Sequence, residues 1–361
     1  MILSMLLSQA AWGVEDGRCH AWMPAERVAR IDQDALNELS GLVASRAHPG
    51  TLWAHNDAGG SATLYAVGID GADQGAFFLP GADNVDWEDI AVGPCGADVD
   101  ACACLYIGDI GDNDDERGGG VIWRVPEPIP GAGGTGQGGV PEALRFRYPD
   151  GPHDAEALLV DPLTGEVAVV TKESPAGVYL FPQAPPVAGA EVVLTRAGTL
   201  DLSALDVDET EITGADVSPL GDRVVVRTDA DVVLFHRPDG GGLAETLASA
   251  GSPLPGPPEE DAEAVAFTLD GQSLLLAGES EQAALWAIDC VSFEPSEADT
   301  ADPLVACDGR RCGCSAAGGP SGMAMAAALW GMLALKRRRR VHSGHPCVRN
   351  APKTERSHVP R

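Results

Sequence analysis

The stretch that decides the fold runs from Asp86 to Asn113. It reads Asp86-Trp-Glu-Asp-Ile-Ala-Val-Gly-Pro94, then a short loop with cysteines, then Leu105-Tyr-Ile-Gly-Asp-Ile-Gly-Asp-Asn113. Two short apolar runs are each bounded by acidic residues and glycine, which is typical of β-strands that end in turns. The stretch therefore predicts a pair of neighbouring β-strands with carboxylates at one end.

The same pattern recurs four more times along the chain, at intervals of about 50 residues. The predicted strands of the five units are 38–45, 51–57, 63–70 and 75–79; 88–92, 105–108, 121–125 and 143–148; 156–160, 166–171, 177–181 and 191–195; 212–218, 223–228, 231–236 and 243–247; and 263–268, 273–277 and 285–288. The fifth unit lacks an outer strand, and the run 26–32 has no unit of its own. These units predict an all-β protein, a propeller of five four-stranded blades closed by the N-terminal strand. A sixth blade is possible if a divergent unit lies in 182–212 or 237–260.

Both ends of the chain carry export features. Residues 1–13 are an apolar run with small residues at its end, which predicts a signal peptide. The propeller is expected over 26–290 and a polar linker over 291–311. The segment 316–335 has no charged residue and is long enough to span a bilayer, and the basic cluster 336–340 follows it. A basic extension, 341–361, ends the chain.

The tail resembles the myxobacterial C-terminal sorting signal, which combines a cysteine motif, an apolar helix and an arginine cluster. The matching parts here are Cys312-Gly-Cys314, 316–335 and 336–340, so that the signal spans 312–340. The resemblance implies export, a processing peptidase as a partner, membrane attachment through the helix before processing, and a final location at the cell surface or outside the cell.

The net charge argues against nucleic-acid binding, and the cysteine content indicates the compartment of the protein. The net charge of −30 would repel nucleic acid, whose binding depends on neutralising phosphates. Nine cysteines indicate an oxidising compartment. Cys95 is predicted to form a local disulfide with a cysteine of its own loop, on the face opposite the acidic residues. A second disulfide, between Cys19 and Cys290, is predicted to lock the closure of the propeller.

An acidic residue opens the first strand of every predicted unit. These residues are Glu38, Glu88, Glu156, Glu211 and Glu263. The first strand of each propeller blade lines the central channel, so five carboxylates are expected around one mouth. Like charges at close range raise one another's pKa unless a cation joins them, and Ca²⁺ accepts irregular sets of about six to eight oxygen ligands. A Ca²⁺ site is the hypothesis. The alternative is a structural role, in which the glutamates accept hydrogen bonds from backbone N–H groups of neighbouring blades.

The loops between the second and third strands are expected on the same face. Asp109 and Asp112 join the candidate metal ligands, and His55, Asp57, Lys172 and Arg227 are candidate ligand-binding residues. Glu88 and Lys172 are also candidate catalytic residues. Lys172 is the only lysine in residues 1–300, and an ion pair with a glutamate of the ring is the simpler role for it. The glycine-rich run 131–139 matches GxGxxG in spelling, but no helix is predicted after it, so it is expected to be a surface loop.

Residues 36–290 resemble secreted bacterial propellers of the phytase-like and esterase-like type. The resemblance rests on Asp86-Trp-Glu-Asp-Ile-Ala91, Asp154-Ala-Glu-Ala157 and acidic loops of calcium-binding type. It implies a Ca²⁺-dependent phosphoesterase in which the ion polarises a phosphoryl oxygen and Lys172 stabilises the charge. We carry three hypotheses: an exported propeller whose acidic mouth recognises an extracellular small molecule or surface polymer, a phytase-like hydrolase, and a purely structural surface module.

Overall fold

The described part of the chain is a β-propeller. The computed structural model describes residues 19, 21–96, 103–131, 134–258 and 262–291. Within these ranges the strands form five sheets of four or five strands each. The predicted all-β fold with five blades is confirmed, and the described residues hold no sixth blade.

The blades follow one another along the chain, and their strands are numbered in chain order. The N-terminal strand is β1 (Glu26–Arg30). Blade 1 contains β2 (Leu39–Ala44), β3 (Thr51–Asn56), β4 (Thr63–Gly68) and β5 (Asp73–Phe78). Blade 2 contains β6 (Trp87–Pro94), β7 (Ala103–Asp109), β8 (Gly119–Pro126) and, after the short strand β9 (Thr135–Gln137), β10 (Glu142–Arg147).

The remaining blades have the same order of strands from the channel outward. Blade 3 contains β11 (Ala155–Val160), β12 (Val167–Thr171), β13 (Ala176–Leu180) and, after β14 (Val192–Val193), β15 (Thr195–Leu200). Blade 4 contains β16 (Ile212–Val217), β17 (Arg223–Thr228), β18 (Val232–His236), the helix α1 (Leu243–Leu247) and β19 (Gly251–Leu254). Blade 5 contains β20 (Ala262–Phe267), β21 (Ser273–Gly278) and β22 (Ala284–Asp289).

Strand β1 supplies the outer strand that blade 5 lacks. It pairs antiparallel with β22, from Glu26 opposite Ala287 to Arg30 opposite Ala284. The disulfide Cys19–Cys290 lies beside this pairing and joins residues 271 positions apart. The closure predicted from the sequence, by both strand and disulfide, is confirmed.

The inner strands β2, β6, β11, β16 and β20 contact one another around the channel. Their side chains are almost all buried because both faces of each inner strand pack against protein. Such strands read as continuous apolar runs, without the alternation of a half-exposed strand.

The apolar core is divided among the interfaces between blades. In the described residues there are five buried clusters, and each joins two consecutive blades. Trp53 of blade 1 and Trp87 of blade 2, for example, belong to the cluster between these blades and are fully buried. The tryptophans on the blade strands therefore serve packing.

Two outer strands differ from the prediction, and blade 1 has one more strand than predicted, in a run that was expected to be a surface loop. The run Leu243–Leu247 was expected to be a strand but forms α1, because Leu243 and Leu247 are four residues apart and bury the same helix face. The outer strand of blade 4 is β19 instead. In blade 3 the outer strand is β15, whereas the predicted strand 191–195 holds β14, which pairs parallel with β10 of blade 2. The glycine-rich run contains β9, which extends blade 1 by parallel pairing with β5.

Several predictions fall outside the described residues. These are the signal peptide 1–13, most of the linker 291–311, the sorting signal 312–340 with its segment 316–335, and the extension 341–361. Among the described residues, no helix is long and apolar enough to cross a membrane. The second described disulfide, Cys95–Cys104, confirms the predicted local bridge. It lies where β6 ends and β7 begins, at the edge of blade 2 opposite the edge that carries Glu88.

Candidate functional site

Every inner strand begins with a β-bulge. The pairing of the first two strands of each described blade skips one residue near the start of the inner strand. The skipped residues, here called the bulge residues, are Ser40, Glu88, Glu156, Thr213 and Glu263. A bulge leaves its residue outside the hydrogen-bonded ladder and turns its side chain in a new direction. The five bulge residues therefore occupy one equivalent position on the five blades.

The predicted ring of glutamates is thus three glutamates and two hydroxyl residues. Glu88, Glu156 and Glu263 are bulge residues. Glu38 and Glu211 lie two residues before the bulges of blades 1 and 4, where their side chains are exposed. Ser40 and Thr213, both buried, take the equivalent positions.

Carboxylates from three blades converge at the mouth on the side of blades 1 to 3. Asp57, Asp86 and Glu88 can each place one oxygen within 4.8 Å of the others, and so can Glu88, Asp154 and Glu156. We call these the first and second carboxylate groups; Glu88 belongs to both. Glu88 and Glu156 are buried, being 6% and 5% exposed, while both groups open to solvent through the half-buried aspartates.

The electrostatics of these groups favour added positive charge. Burial, with the charges of Glu156, Asp57, Asp86 and Asp154, raises the pKa of Glu88 to about 10. Burial and neighbouring acidic groups also raise the pKa of Asp86 to about 6 and that of Glu263 to about 9. The protein therefore holds these carboxyl groups where ionisation is unfavourable unless a cation is present.

Lys172 supplies one positive charge at the second carboxylate group. Its Nζ lies 2.5 Å from Oε1 of Glu156, and its ammonium also interacts with Asp154 and Glu263. Burial raises the pKa of Glu156 to about 7 in spite of this ammonium, and the carboxylates raise the pKa of Lys172. The ion pair expected as the simpler role of Lys172 is present.

The loop between β7 and β8 forms a wall of the first carboxylate group. Asp112 accepts hydrogen bonds from the backbone N–H groups of Glu116 and Arg117, at 2.9 and 2.7 Å. Asp109 pairs with the guanidinium of Arg117 at 2.5 Å. Both aspartates, predicted as metal ligands, therefore shape the loop and hold Arg117, whose charge lowers the pKa of Asp86 against the larger effect of burial.

Gly111 brings this loop into direct contact with the carboxylates. A Cβ at Gly111 would lie 2.1 Å from Oε1 of Glu88 and 2.7 Å from Oδ2 of Asp86. No side chain fits there, so the main chain itself forms the wall behind the two carboxylates. The glycine in Asp109-Ile-Gly111-Asp112 thus has a steric reason.

Two predicted ligand-binding residues lie inside the protein. His55 is fully buried, its Nδ1 is 3.0 Å from the carbonyl of Asn56, and burial lowers its pKa to about 4. Arg227 is 1% exposed, and its Nη1 donates to the carbonyls of Ala264 and Ala277 of blade 5 at 2.6 and 3.0 Å. Neither is placed to touch a ligand at the mouth. Asp57, the third loop residue, joins the first carboxylate group.

The channel is closed below the mouth by buried polar groups. Asp89 is 1% exposed, and its Oδ2 accepts from the backbone N–H groups of Leu158 and Ala215 at 2.8 and 3.3 Å. Burial raises its pKa, although these hydrogen bonds act against the shift. Deeper, Asp216 accepts from the N–H of Phe267 at 2.8 Å and interacts with the buried Arg46. Access to the carboxylate groups is therefore from the mouth.

The candidate set from the sequence missed three residues of this site: Asp86, Asp154 and Arg117. A signal for the aspartates was present, since the spacing Asp-x-Glu occurs at Asp86 and Asp154, and again at Asp261. Nothing in the local sequence indicated Arg117, because its position depends on how the loop folds back on Asp109.

Comparisons with known proteins add little about this site. No protein-family model matches the chain, and no curated protein matches it. Among solved structures, the chain is similar to one in the crystal structure of a nidogen/laminin complex, with 10% sequence identity and a TM-score of 0.38. The likeness covers 66% of this chain and 72% of the other, and it is too distant to say anything about function.

Proposed function

We propose that this protein is an exported propeller whose acidic mouth binds one Ca²⁺ ion and recognises an extracellular ligand through it. The ion is held by Asp57, Asp86 and Glu88. The observation that carries the proposal is that three carboxylate oxygens can come within 4.8 Å of one another around a buried glutamate.

The chemistry of the donors favours calcium over other ions. All three side chains offer oxygen, and no histidine or cysteine belongs to the carboxylate groups found in the described residues, which argues against zinc. Mg²⁺ demands nearly octahedral geometry and keeps several waters, whereas Ca²⁺ accepts irregular oxygen sets and bidentate carboxylates. Because the first carboxylate group opens to solvent through Asp57 and Asp86, an oxygen of a small molecule or surface polymer could complete the coordination of the ion there.

Export and surface location are supported by the disulfides. The bridges Cys19–Cys290 and Cys95–Cys104 suit an oxidising environment outside the cytosol. The signal peptide 1–13 and the sorting signal 312–340 extend this to membrane attachment through the C-terminal helix, followed by a processing peptidase. These two segments are proposed from the sequence.

The test is isothermal titration of the chelator-treated protein with Ca²⁺ and, separately, with Mg²⁺. We expect one Ca²⁺ per chain with proton release, because the ion displaces the proton of Glu88. Glu88→Gln is expected to weaken Ca²⁺ binding by at least the roughly 100-fold that losing a supporting partner of a metal site can cost.

Glu211→Gln is the matched control. It removes one carboxylate from the same face, but at an exposed position away from the carboxylate groups, so Ca²⁺ binding should stay near that of the natural protein. Equal losses in Glu88→Gln and Glu211→Gln would mean that general negative charge attracts the ion, without a built site. The absence of any Ca²⁺ effect would leave the purely structural surface module as the function.

A Ca²⁺-dependent phosphoesterase of the phytase-like type is the second candidate. The observation that favours it is that Arg117 and Lys172 flank the carboxylates, where they could stabilise phosphoryl charge. Both cations already pair with carboxylates, and the surroundings are strongly acidic, so ligand recognition ranks first. A panel of phosphoesters with Ca²⁺ separates the two: an enzyme should lose turnover in Glu88→Gln and Lys172→Ala, whereas a binding protein shows none to lose.

A further inference from the structure

The two carboxylate groups differ in how their charge is balanced within the protein. In the described residues, no ion pair involves Asp57, Asp86 or Glu88, and the charge of Arg117 acts on Asp86 from its ion pair with Asp109. The second group, in contrast, contains Glu156, which is paired with Lys172 at 2.5 Å. A positive charge belonging to the protein itself is thus already in place at the second group.

Both the backbone and the side chain of Lys172 are held in place at the second carboxylate group. Its backbone N–H donates to the carbonyl of Asp154 at 2.9 Å, which fixes the start of the loop after β12. Its side chain is 34% exposed while that of Glu156 is 7% exposed, so the ammonium covers the buried carboxylate from the solvent side. Its charge acts on Asp154 and Glu263 as well, which places it among the carboxylates of blades 3 and 5.

We infer that the ammonium of Lys172 takes the place of a second divalent cation and thereby limits the mouth to one metal ion. This inference rests on the proposed Ca²⁺ site. A second ion at Glu88, Asp154 and Glu156 would be repelled by the ammonium, which pairs with Glu156, and by the first ion, with which it would share Glu88. Lys172 is therefore a residue that sets how many ions bind.

Removing the ammonium should open the second group. In Lys172→Met the side chain keeps a similar length but loses its charge, so that Glu88, Asp154 and Glu156 are left without a cation. We expect titration calorimetry and native mass spectrometry with Ca²⁺ alone to give one ion per chain for the natural protein and two for Lys172→Met. Lys172→Arg keeps the positive charge and should stay at one.

Each outcome decides something. One ion in both the natural protein and Lys172→Met would overturn the inference and leave the proposed function standing. Two ions in the natural protein would overturn it as well. If the natural protein binds no Ca²⁺, the proposed Ca²⁺ site fails and the inference that rests on it fails with it, whatever Lys172→Met binds.

A second variant guards against misfolding. Lys172→Gln removes the charge but keeps a polar group able to donate to Glu156, and circular dichroism reports whether either variant is folded. The melting temperature gives an independent readout: Ca²⁺ should raise it more in the charge-neutral variants than in the natural protein, because two ions then bind the folded state only. An equal rise in all variants would contradict the inference.

Discussion

Blades 1 and 4 differ from blades 2, 3 and 5 at the start of the inner strand. The first pair carries Glu-x-Ser/Thr-Gly, as in Glu38-Leu-Ser-Gly41, and the other three carry Asp-x-Glu, as in Asp86-Trp-Glu88. Ser40 donates to the carbonyl of Glu88 at 2.5 Å, and Thr213 donates to the carbonyl of Glu263 at 3.3 Å. The hydroxyl groups of blades 1 and 4 thus support the bulge glutamates of blades 2 and 5. The bulge position therefore carries a supporting hydroxyl in two blades and a carboxylate in the other three.

The same two blades share a second feature on the neighbouring strand. His55 lies opposite Gly41, and Arg227 lies opposite Gly214. A Cβ at Gly41 would lie 2.4 Å from Nε2 of His55, and one at Gly214 would lie 2.7 Å from the carbonyl of Glu263. Glycine allows the close approach of blade to blade, and a large polar side chain is buried beside it. These positions hold the propeller together and carry none of the bulge glutamates.

The largest expected effect comes from Arg227. Arg227→Met removes the charged hydrogen bonds to Ala264 and Ala277 inside the interface of blades 4 and 5, which we expect to cost about 3 kcal/mol of unfolding free energy. Urea denaturation measures it. The exposed Arg145 is the control, since Arg145→Met should change stability by no more than about 0.5 kcal/mol. A stable Arg227→Met that has lost ligand binding would instead assign Arg227 to the mouth.

A smaller effect is expected at the hydroxyl that braces Glu88. Ser40→Ala removes the bonds from its Oγ to the carbonyl and, at 3.4 Å, to Oε2 of Glu88. We expect a loss of about 1 kcal/mol in stability and of roughly tenfold in Ca²⁺ affinity. Thr213→Val, which acts on Glu263, should lower stability less and leave Ca²⁺ affinity unchanged. Equal effects on affinity in both variants would remove the distinction between the two sides of the mouth.

Beyond the effects of these substitutions, stability is expected to depend on pH when chelator is present. The pKa of Glu88, about 10, and that of Glu263, about 9, lie above the value of about 4.3 for an unfolded glutamate. Between these values the folded state binds more protons than the unfolded state, so stability falls as the pH rises. Because each group costs up to about 1.4 kcal/mol per pH unit, we expect the melting temperature to fall by several degrees for each unit from about pH 7 to about pH 9. Excess Ca²⁺ should reduce that fall, and Glu88→Gln should reduce it without Ca²⁺; a rise with pH would contradict the assignment of raised pKa values.

The inner three strands of each blade were predictable because they are buried on both faces and read as apolar runs between turns. The outer strands were not, because they are half exposed and their composition overlaps with that of loops. Leu243–Leu247 shows the limit: its leucines suit a strand by composition, but their spacing of four residues fits the helix that the chain forms.

The acidic mouth was predicted, but its exact members were not. Glu38 and Glu88 look alike in sequence, since each is an acidic residue just before an apolar run. A bulge is invisible in the sequence, and it decides that Ser40, not Glu38, is equivalent to Glu88. His55 and Arg227 are buried inside the propeller, although each lies next to the last residue of a strand, β3 or β17, that ends at the mouth.

The disulfide between Cys19 and Cys290 also determines how the propeller would carry a mechanical load. Cys290 comes directly after β22, the last strand of blade 5, so a pull from the C-terminal side of the propeller enters at this cysteine. The force then passes through the covalent bridge to Cys19 and is shared between β22 and β1. Without the bridge, the same pull would break the hydrogen bonds between β22 and its neighbours β1 and β21 one after another. A propeller tethered through its C-terminal end would thus resist shear as a closed ring.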